Sequence, residues 1–253
     1  MFVAILVAAV MIHADPLQSA FAAAHHDFLA KQIDKFAGST ADPAMIGKHF
    51  KAVRPLKDGQ AYSGLPGDAF YTYEDGKLTL QFSVDDTPLT LAMGSPRHVV
   101  GAIGGRRIFL RNYVGSNAYG ATRRVEVVKL DTDSLAMLDR PQGEVSPVQA
   151  RIIANEPPEL RDDTPLDRNT YFVEISLPGP QALKVALDSA LVVEGTIEAL
   201  DDGKLNLCKS NDSAPKIDAP TEIHGSDCWI GANVTRIAFI RKSTGEVLRE
   251  WVK

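Results

Sequence analysis

The chain has 253 residues, of which 45% are hydrophobic and 23% are charged, and its formal net charge is −5. This composition is typical of a folded globular protein and excludes a disordered chain, which would be poorer in apolar residues. Because the net charge is negative, nothing draws the molecule toward nucleic acid over long range, and no nucleic-acid partner is expected.

The first residues have the pattern of a secretory signal peptide. Residues 2–12 are all apolar, a run that is too short to cross a bilayer as a helix but fits the apolar region of a signal. No Lys or Arg precedes the run, although signals ordinarily carry one there. We expect a signal within residues 1–22, cleaved after Ala14 or after Ala22, and hence an exported, soluble protein that is periplasmic or extracellular. The alternative is a buried N-terminal strand or helix. No later apolar stretch approaches membrane length, so no spanning segment is predicted.

One amphipathic helix is predicted over residues 16–36, within a helical N-terminal segment at residues 23–60. Asp15 followed by Pro16 is a helix-start signal, which favours cleavage after Ala14. The apolar residues recur at helical spacing; they are Leu17, Phe21, Ala24, Phe28, Leu29, Ile33 and Phe36. The polar residues expected on the opposite, solvent side are Gln18, His25, Asp27 and Lys31.

From residue 61 onward, short alternating segments separated by glycine and proline predict a mostly β fold of antiparallel sheets, arranged as a sandwich or barrel. The predicted strands cover residues 77–84, 106–114, 124–130, 148–154, 171–177, 191–200, 204–208, 234–241 and 246–252. Residues 181–188 also fit a short helix.

A segment rich in proline and acidic residues, 155–169, lacks any core-forming pattern. It is interpreted as a linker between a β unit at residues 61–154 and a second β unit at residues 170–253. The alternative is one long surface loop within a single domain.

The sequence contains two cysteines, Cys208 and Cys228. In an exported protein such a pair predicts a disulfide, which would stabilise a loop of this length by about 3 kcal/mol. The rival interpretation is a nucleophilic Cys228 served by His224, which the turn-forming Gly225-Ser226 between them disfavours. The cysteine spacing does not fit a metal site.

Sequence signatures of catalysis are missing. There is no Gly-x-Ser-x-Gly elbow, no phosphate-binding loop and no complete calcium loop. His25 and His26 are adjacent on a predicted helix, so their side chains diverge and do not chelate one ion. Neither a cofactor nor a metal is therefore expected, and the sequence does not favour an enzyme.

One cluster of side chains suggests binding. Two strands that should pair as a hairpin carry six basic residues, opposed only by Glu126; the six are Arg106, Arg107, Arg111, Arg123, Arg124 and Lys129. An extended strand would place Arg107, Phe109, Arg111 and Tyr113 on one face. Arginines beside aromatic rings can hold carboxylate or phosphate groups, and Asn117 and Tyr119 in the connecting loop would add an amide and a phenol. The alternative is a solvated face that balances the acidic second half.

Three functional hypotheses follow. The first is a non-catalytic, exported or envelope-associated β protein that binds an anionic small molecule, a glycan or a protein through the Arg107, Phe109, Arg111 and Tyr113 face. The second is a hydrolase of envelope polymers whose site residues are scattered in sequence, drawn from His98, His224, Asp227 and the acidic turns. The third is a structural subunit of an envelope assembly, contacted through the helix near Phe21, Phe28 and Phe36.

Overall fold

The computed structural model describes residues 15–31, 37–39, 42–59, 69–85, 99–116, 120–145, 168–216 and 219–253. Within these ranges the chain forms two helices and twelve strands. The helices are α1 (Pro16–Lys31) and α2 (Gly179–Asp188). The strands are β1 (His49–Pro55), β2 (Lys57–Asp58), β3 (Ala69–Glu74), β4 (Lys77–Ser83), β5 (Val99–Ser116), β6 (Thr122–Asp139), β7 (Thr170–Ser176), β8 (Ser189–Ile197), β9 (Asn206–Ser210), β10 (Thr221–His224), β11 (Ser226–Arg241) and β12 (Val247–Val252).

The strands form two sheets, which confirms the predicted mostly β class. The larger sheet has eight strands in the order β1-β8-β11-β6-β10, with β9 and β12 also paired to β11 and β5 paired to β6. The smaller has four strands in the order β2-β3-β4-β7. Most pairs are antiparallel, as predicted, but β10 and β11 run parallel to β6, and β2 runs parallel to β3.

Each sheet combines strands from both predicted β units. In the smaller sheet β4 pairs with β7, and in the larger sheet β6 pairs with β11. Residues 23–60, predicted as helical, also contribute the two strands β1 and β2. Three predicted segments lie outside the described residues: residues 1–14 of the predicted signal, the strand predicted at 148–154 and most of the predicted linker, 155–167.

Aromatic side chains join the two sheets into one hydrophobic core. Tyr171 of β7 is fully buried, and its ring meets the Trp251 ring of β12 edge to face at a centroid distance of 5.2 Å. Its hydroxyl donates a 2.6 Å hydrogen bond to the carbonyl of Pro141, and burial raises its pKa. Phe82 of β4 stacks on the same ring, so residues distant in sequence pack around Tyr171.

Helix α1 packs on the larger sheet through one apolar face. The carboxylate of Asp15 accepts a 2.9 Å hydrogen bond from the Leu17 amide, which satisfies one of the free N–H groups at the helix start. The buried face consists of Leu17, Ala20, Phe21, Ala24 and Phe28, and it contacts β1, β9 and β11. The predicted amphipathic helix is therefore confirmed to Lys31; residues 32–36 lie outside the described ranges.

Strands β10 and β11 form one nearly continuous line beside β6, interrupted at Gly225. A Cβ atom at this position would lie 2.6 Å from the carbonyl carbon of Leu130 and closer still to its oxygen. Only glycine therefore lets the chain approach β6 this closely.

The predicted disulfide is confirmed in geometry. Cys208 of β9 and Cys228 of β11 stand directly opposite each other in the antiparallel register. Their sulfurs are 2.02 Å apart, and both residues are buried beneath α1, with the Cys208 sulfur 3.9 Å from the Ala24 carbonyl oxygen.

Candidate functional site

The most exposed part of the larger sheet is the hairpin of β5 and β6. We call residues 106–116 and 122–129 the arginine hairpin; they hold the six basic side chains and Glu126. Its apolar side chains are also exposed: Phe109 by 55%, Leu110 by 51% and Val114 by 73%. Exposed apolar and cationic side chains together are characteristic of a contact surface.

A bulge in β5 changes which side chains share each face of this hairpin. Phe109 pairs with Val128, but Arg111 pairs with Val127, so Leu110 is the extra residue. Because neighbouring residues of β6 point to opposite faces, a shift of one residue reverses the side on which Arg111 lies. The prediction that Arg107, Phe109, Arg111 and Tyr113 share one face is therefore wrong.

The Tyr113 face carries Arg106, Arg111 and Tyr113. The Arg111 guanidinium lies 5.6 Å from the centre of the Tyr113 ring, and the Tyr113 hydroxyl donates a 2.8 Å hydrogen bond to Glu222 of β10. The other Glu222 oxygen lies 2.7 Å from His224 Nε2. The face therefore combines cations with a connected polar chain that extends to β10.

The hydrogen bonds that connect Tyr113, Glu222 and His224 shift the pKa values of all three side chains. The hydrogen bond to Glu222 is the main cause that raises the pKa of Tyr113. Hydrogen bonding to His224, and then to Tyr113, lowers the pKa of Glu222. The bond to Glu222 likewise raises the pKa of His224, and Asp212, 3.3 Å from its Nδ1, adds to the effect.

The Phe109 face, on the opposite side, carries Arg107, Phe109, Val114 and Arg124. Arg107 forms a 3.0 Å ion pair with Glu126. Arg124 stands opposite Val114 in the register. Within the described ranges, neither Arg124 nor Arg106 of the other face forms an ion pair. Asn117 and Tyr119, the predicted loop contributors, lie outside the described residues.

A groove of about 900 Å³ opens at the base of the arginine hairpin. It is lined by Ala102 to Arg107 of β5, by Val53 to Lys57 around β1 and β2, and by Asp131, Asp133, Asp227 and Trp229 of the central strands. Six chain segments contribute, so no local sequence pattern could have indicated this groove. Its wall contains both positive and negative side chains and one large aromatic ring.

A second polar cluster lies under helix α1 and was missed by sequence reasoning. His25 is only 8% exposed, which corrects the prediction that it lies on the solvent side of the helix. One ring nitrogen lies 2.6 Å from Ser226 Oγ, and the other lies 2.9 Å from Asp133 Oδ1. Asp131 is 3.4 Å from the same Ser226 hydroxyl and pairs with Lys129 at 2.9 Å.

The order Ser226, His25, Asp133 has the connectivity of an acyl-transfer triad, but not its accessibility. A nucleophilic serine must reach a substrate carbonyl, whereas Ser226 is 0% exposed. The member that lines the groove is instead Asp133. The cluster is therefore suited to holding α1 on the sheet, because it satisfies polar groups that would otherwise be buried without partners.

Of the residues proposed for a hydrolase, His224 and Asp227 are described, and the structure places them in different surroundings. Asp227 bonds Asn211 at 3.0 Å and lines the groove, while His224 is on the surface with Glu222 and Asp212. His98 lies outside the described residues. Across the described parts of the chain, no group of three or more His, Cys, Asp or Glu side chains could hold a metal ion. In those same parts, neither helix is long and apolar enough to cross a membrane.

In comparisons with known proteins, no family model matches the chain, and no curated protein or solved structure matches it significantly.

Proposed function

We propose that the protein is an exported, non-catalytic binding protein whose arginine hairpin holds an anionic ligand or partner. The observation that carries the proposal is a pair of exposed arginines that form no ion pair within the described structure, Arg106 on the Tyr113 face and Arg124 on the Phe109 face, the latter beside the exposed Val114. Guanidinium groups bind carboxylates and phosphates in bidentate geometry. Unpaired cations next to apolar surface favour a ligand that supplies negative charge.

Export is part of the same proposal. Its support is the apolar run at residues 2–12, followed by a disulfide-bonded fold. Cleavage after Ala14 fits best, because α1 begins at Pro16 and residues up to Ala22 include buried side chains. Cleavage after Ala22 would remove Leu17, Ala20 and Phe21 from the core.

The test is anion binding by the oxidised protein that begins at Asp15. A thermal-shift panel would contain inorganic phosphate, polyphosphate, citrate and carboxylated and sulfated oligosaccharides, and isothermal titration would give the Kd of any anion that raises the Tm. A ligand at 100 times its Kd stabilises the folded form by about 2.7 kcal/mol.

Because the bulge separates the arginines, two double variants can assign the binding face. Arg106→Ala with Arg111→Ala removes charge from the Tyr113 face, and Arg107→Ala with Arg124→Ala removes it from the Phe109 face. At least one double variant should weaken binding tenfold or more at unchanged Tm, while Lys184→Ala on the exposed side of α2 should not. A panel in which no anion shifts the Tm would refute the proposal.

The structural-subunit alternative depends on an accessible apolar face of α1. Phe21 and Phe28 are instead 4% and 6% exposed, because they pack on the chain's own sheet; Phe36 lies outside the described residues. Sedimentation of the mature protein tests this alternative: a stable oligomer would favour it, and a monomer would remove it.

A further inference from the structure

The outer edge of β5 is covered at its start and open beyond it. The backbone of Val100 exchanges hydrogen bonds with Asp85, and the guanidinium of Arg54 donates to the carbonyl of Ala102. From Gly105 to Ser116, β5 pairs with β6 on one side, and no strand of the described residues pairs with the other side. An edge of this length presents a row of backbone donors and acceptors that another chain can use.

The groove at the base of the hairpin faces this edge. Six consecutive residues of β5, Ala102 to Arg107, line it. Residues 53–57, which include the Arg54 that covers the start of the edge, line it as well. The groove therefore includes the part of the edge that Arg54 covers and continues to Arg107, and it also presents the apolar side chains of Val53, Leu56 and Ile103.

The side chains beside the open edge determine which kind of strand could pair with it. On the Tyr113 face the edge strand carries Arg106 and Arg111. On the Phe109 face it carries the exposed Phe109 and Val114 together with Arg107, which is already paired with Glu126. The acidic groups near the Tyr113 face are already paired, Asp131 with Lys129 and Glu222 with His224. A strand added here would match β5 if its side chains alternated between acidic, toward the Tyr113 face, and apolar, toward the Phe109 face.

A second copy of this chain is poorly suited to pair with the open edge of β5. Pairing two β5 edges would bring the three arginines of one strand, Arg106, Arg107 and Arg111, beside the same three of the other. Like charges on neighbouring strands destabilise the pair, and charged side chains are a common means by which sheet edges avoid self-association.

We infer that the open edge of β5 binds an extended segment of a partner polypeptide with alternating acidic and apolar residues, which adds a strand to the larger sheet. This inference rests on the proposed function, since it names the anionic partner of the same hairpin. Backbone hydrogen bonds along the edge give such a complex its affinity, and the alternating side chains give it specificity.

The experiment uses a labelled decapeptide of alternating glutamate and valine, acetylated and amidated at its ends. Fluorescence anisotropy measures its Kd for the mature, oxidised protein. One control peptide has five glutamates followed by five valines, which keeps composition and charge but loses alternation. The other control keeps the alternating sequence but is N-methylated at every second residue. It is made in two versions, one methylated at the odd positions and one at the even positions, so that one edge of each peptide cannot pair through its backbone. Vesicles of phosphatidylglycerol test whether a lipid surface is the true ligand.

We expect the alternating peptide to bind at least tenfold more tightly than the block peptide, and one N-methylated version to lose tenfold or more. Arg106→Ala with Arg111→Ala should weaken binding tenfold, with Lys184→Ala as the unchanged control. Binding should also slow amide hydrogen exchange in residues 105–116 but not in β4.

Two results would overturn the inference and leave the proposed function standing. One is equal binding of the alternating, block and N-methylated peptides without slowed exchange, which shows charge attraction only. The other is binding to the vesicles but not to the peptide. If neither peptide, vesicle nor small anion binds, both the inference and the proposed function fail.

Discussion

The buried contact between His25 and Ser226 makes a quantitative prediction about how α1 is held on the sheet. Ser226 is 0% exposed and its hydroxyl lies 2.6 Å from His25 Nδ1. Replacing His25 with alanine removes this partner and leaves the hydroxyl with the longer, 3.4 Å contact to Asp131. A buried polar group left poorly paired costs about 1–3 kcal/mol.

Loss of packing adds to this cost. The His25 ring is 8% exposed, and its removal leaves a cavity that we expect to cost about 1–2 kcal/mol more. We therefore expect His25→Ala to lower the free energy of unfolding by about 2–5 kcal/mol, a large share of the 5–15 kcal/mol typical of a domain. Ser19→Ala, at an exposed position of the same helix, should cost less than about 0.5 kcal/mol.

A double-mutant cycle separates the hydrogen bond from the packing. Ser226→Ala alone should cost about 1–2 kcal/mol, and the double variant should cost about 1–2 kcal/mol less than the sum of the two single changes, because the buried hydroxyl is then absent. Urea unfolding followed by fluorescence and circular dichroism gives the three values. Additive changes, or a His25→Ala cost no larger than that of Ser19→Ala, would refute the proposed contact between helix and sheet.

Three further predictions concern other parts of the molecule. Intact mass of the exported protein should show Asp15 as its first residue and two hydrogens fewer than the reduced form. Gly225→Ala should cost about 3 kcal/mol or more in urea unfolding, since the new methyl group overlaps the Leu130 backbone. A titration followed by NMR should give His224 a pKa above its ordinary value of 6.5, and Glu222→Gln should lower that pKa.

Gly179→Ala is the control for Gly225→Ala. Gly179→Ala at the start of α2, where the nearest atoms to a new Cβ are 3.6 Å away, should be neutral or stabilising by up to about 1 kcal/mol. Because the pKa of His224 is raised by folding, its stabilising contribution is complete below pH 6.5 and is lost as the pH rises through the folded value. A mature protein that starts at Ala23 would contradict cleavage after Ala14. A His224 pKa that Glu222→Gln leaves unchanged would contradict the role of Glu222 in raising that pKa.

Local sequence patterns determined the helices and strands that depend only on residues close to one another in the sequence. Alternating residues predicted β4, and the apolar period of residues 16–31 predicted α1 with Phe21 and Phe28 in the core. The cysteine pair predicted its disulfide because two cysteines permit one intrachain pairing. The arginine-rich strands predicted a hairpin because only a few residues separate two strands of matched pattern.

The tertiary structure alone decided which of these residues face each other. The bulge at Leu110 arises from pairing with β6, so the pattern of β5 by itself put Arg107 and Arg111 on the same face. His25 lies at the edge of the buried face of α1, and only the presence of Ser226 and Asp133, more than a hundred residues away, makes its burial favourable. The groove and the open edge of β5 depend on which strands meet, and strand order is a long-range property that local propensity does not encode.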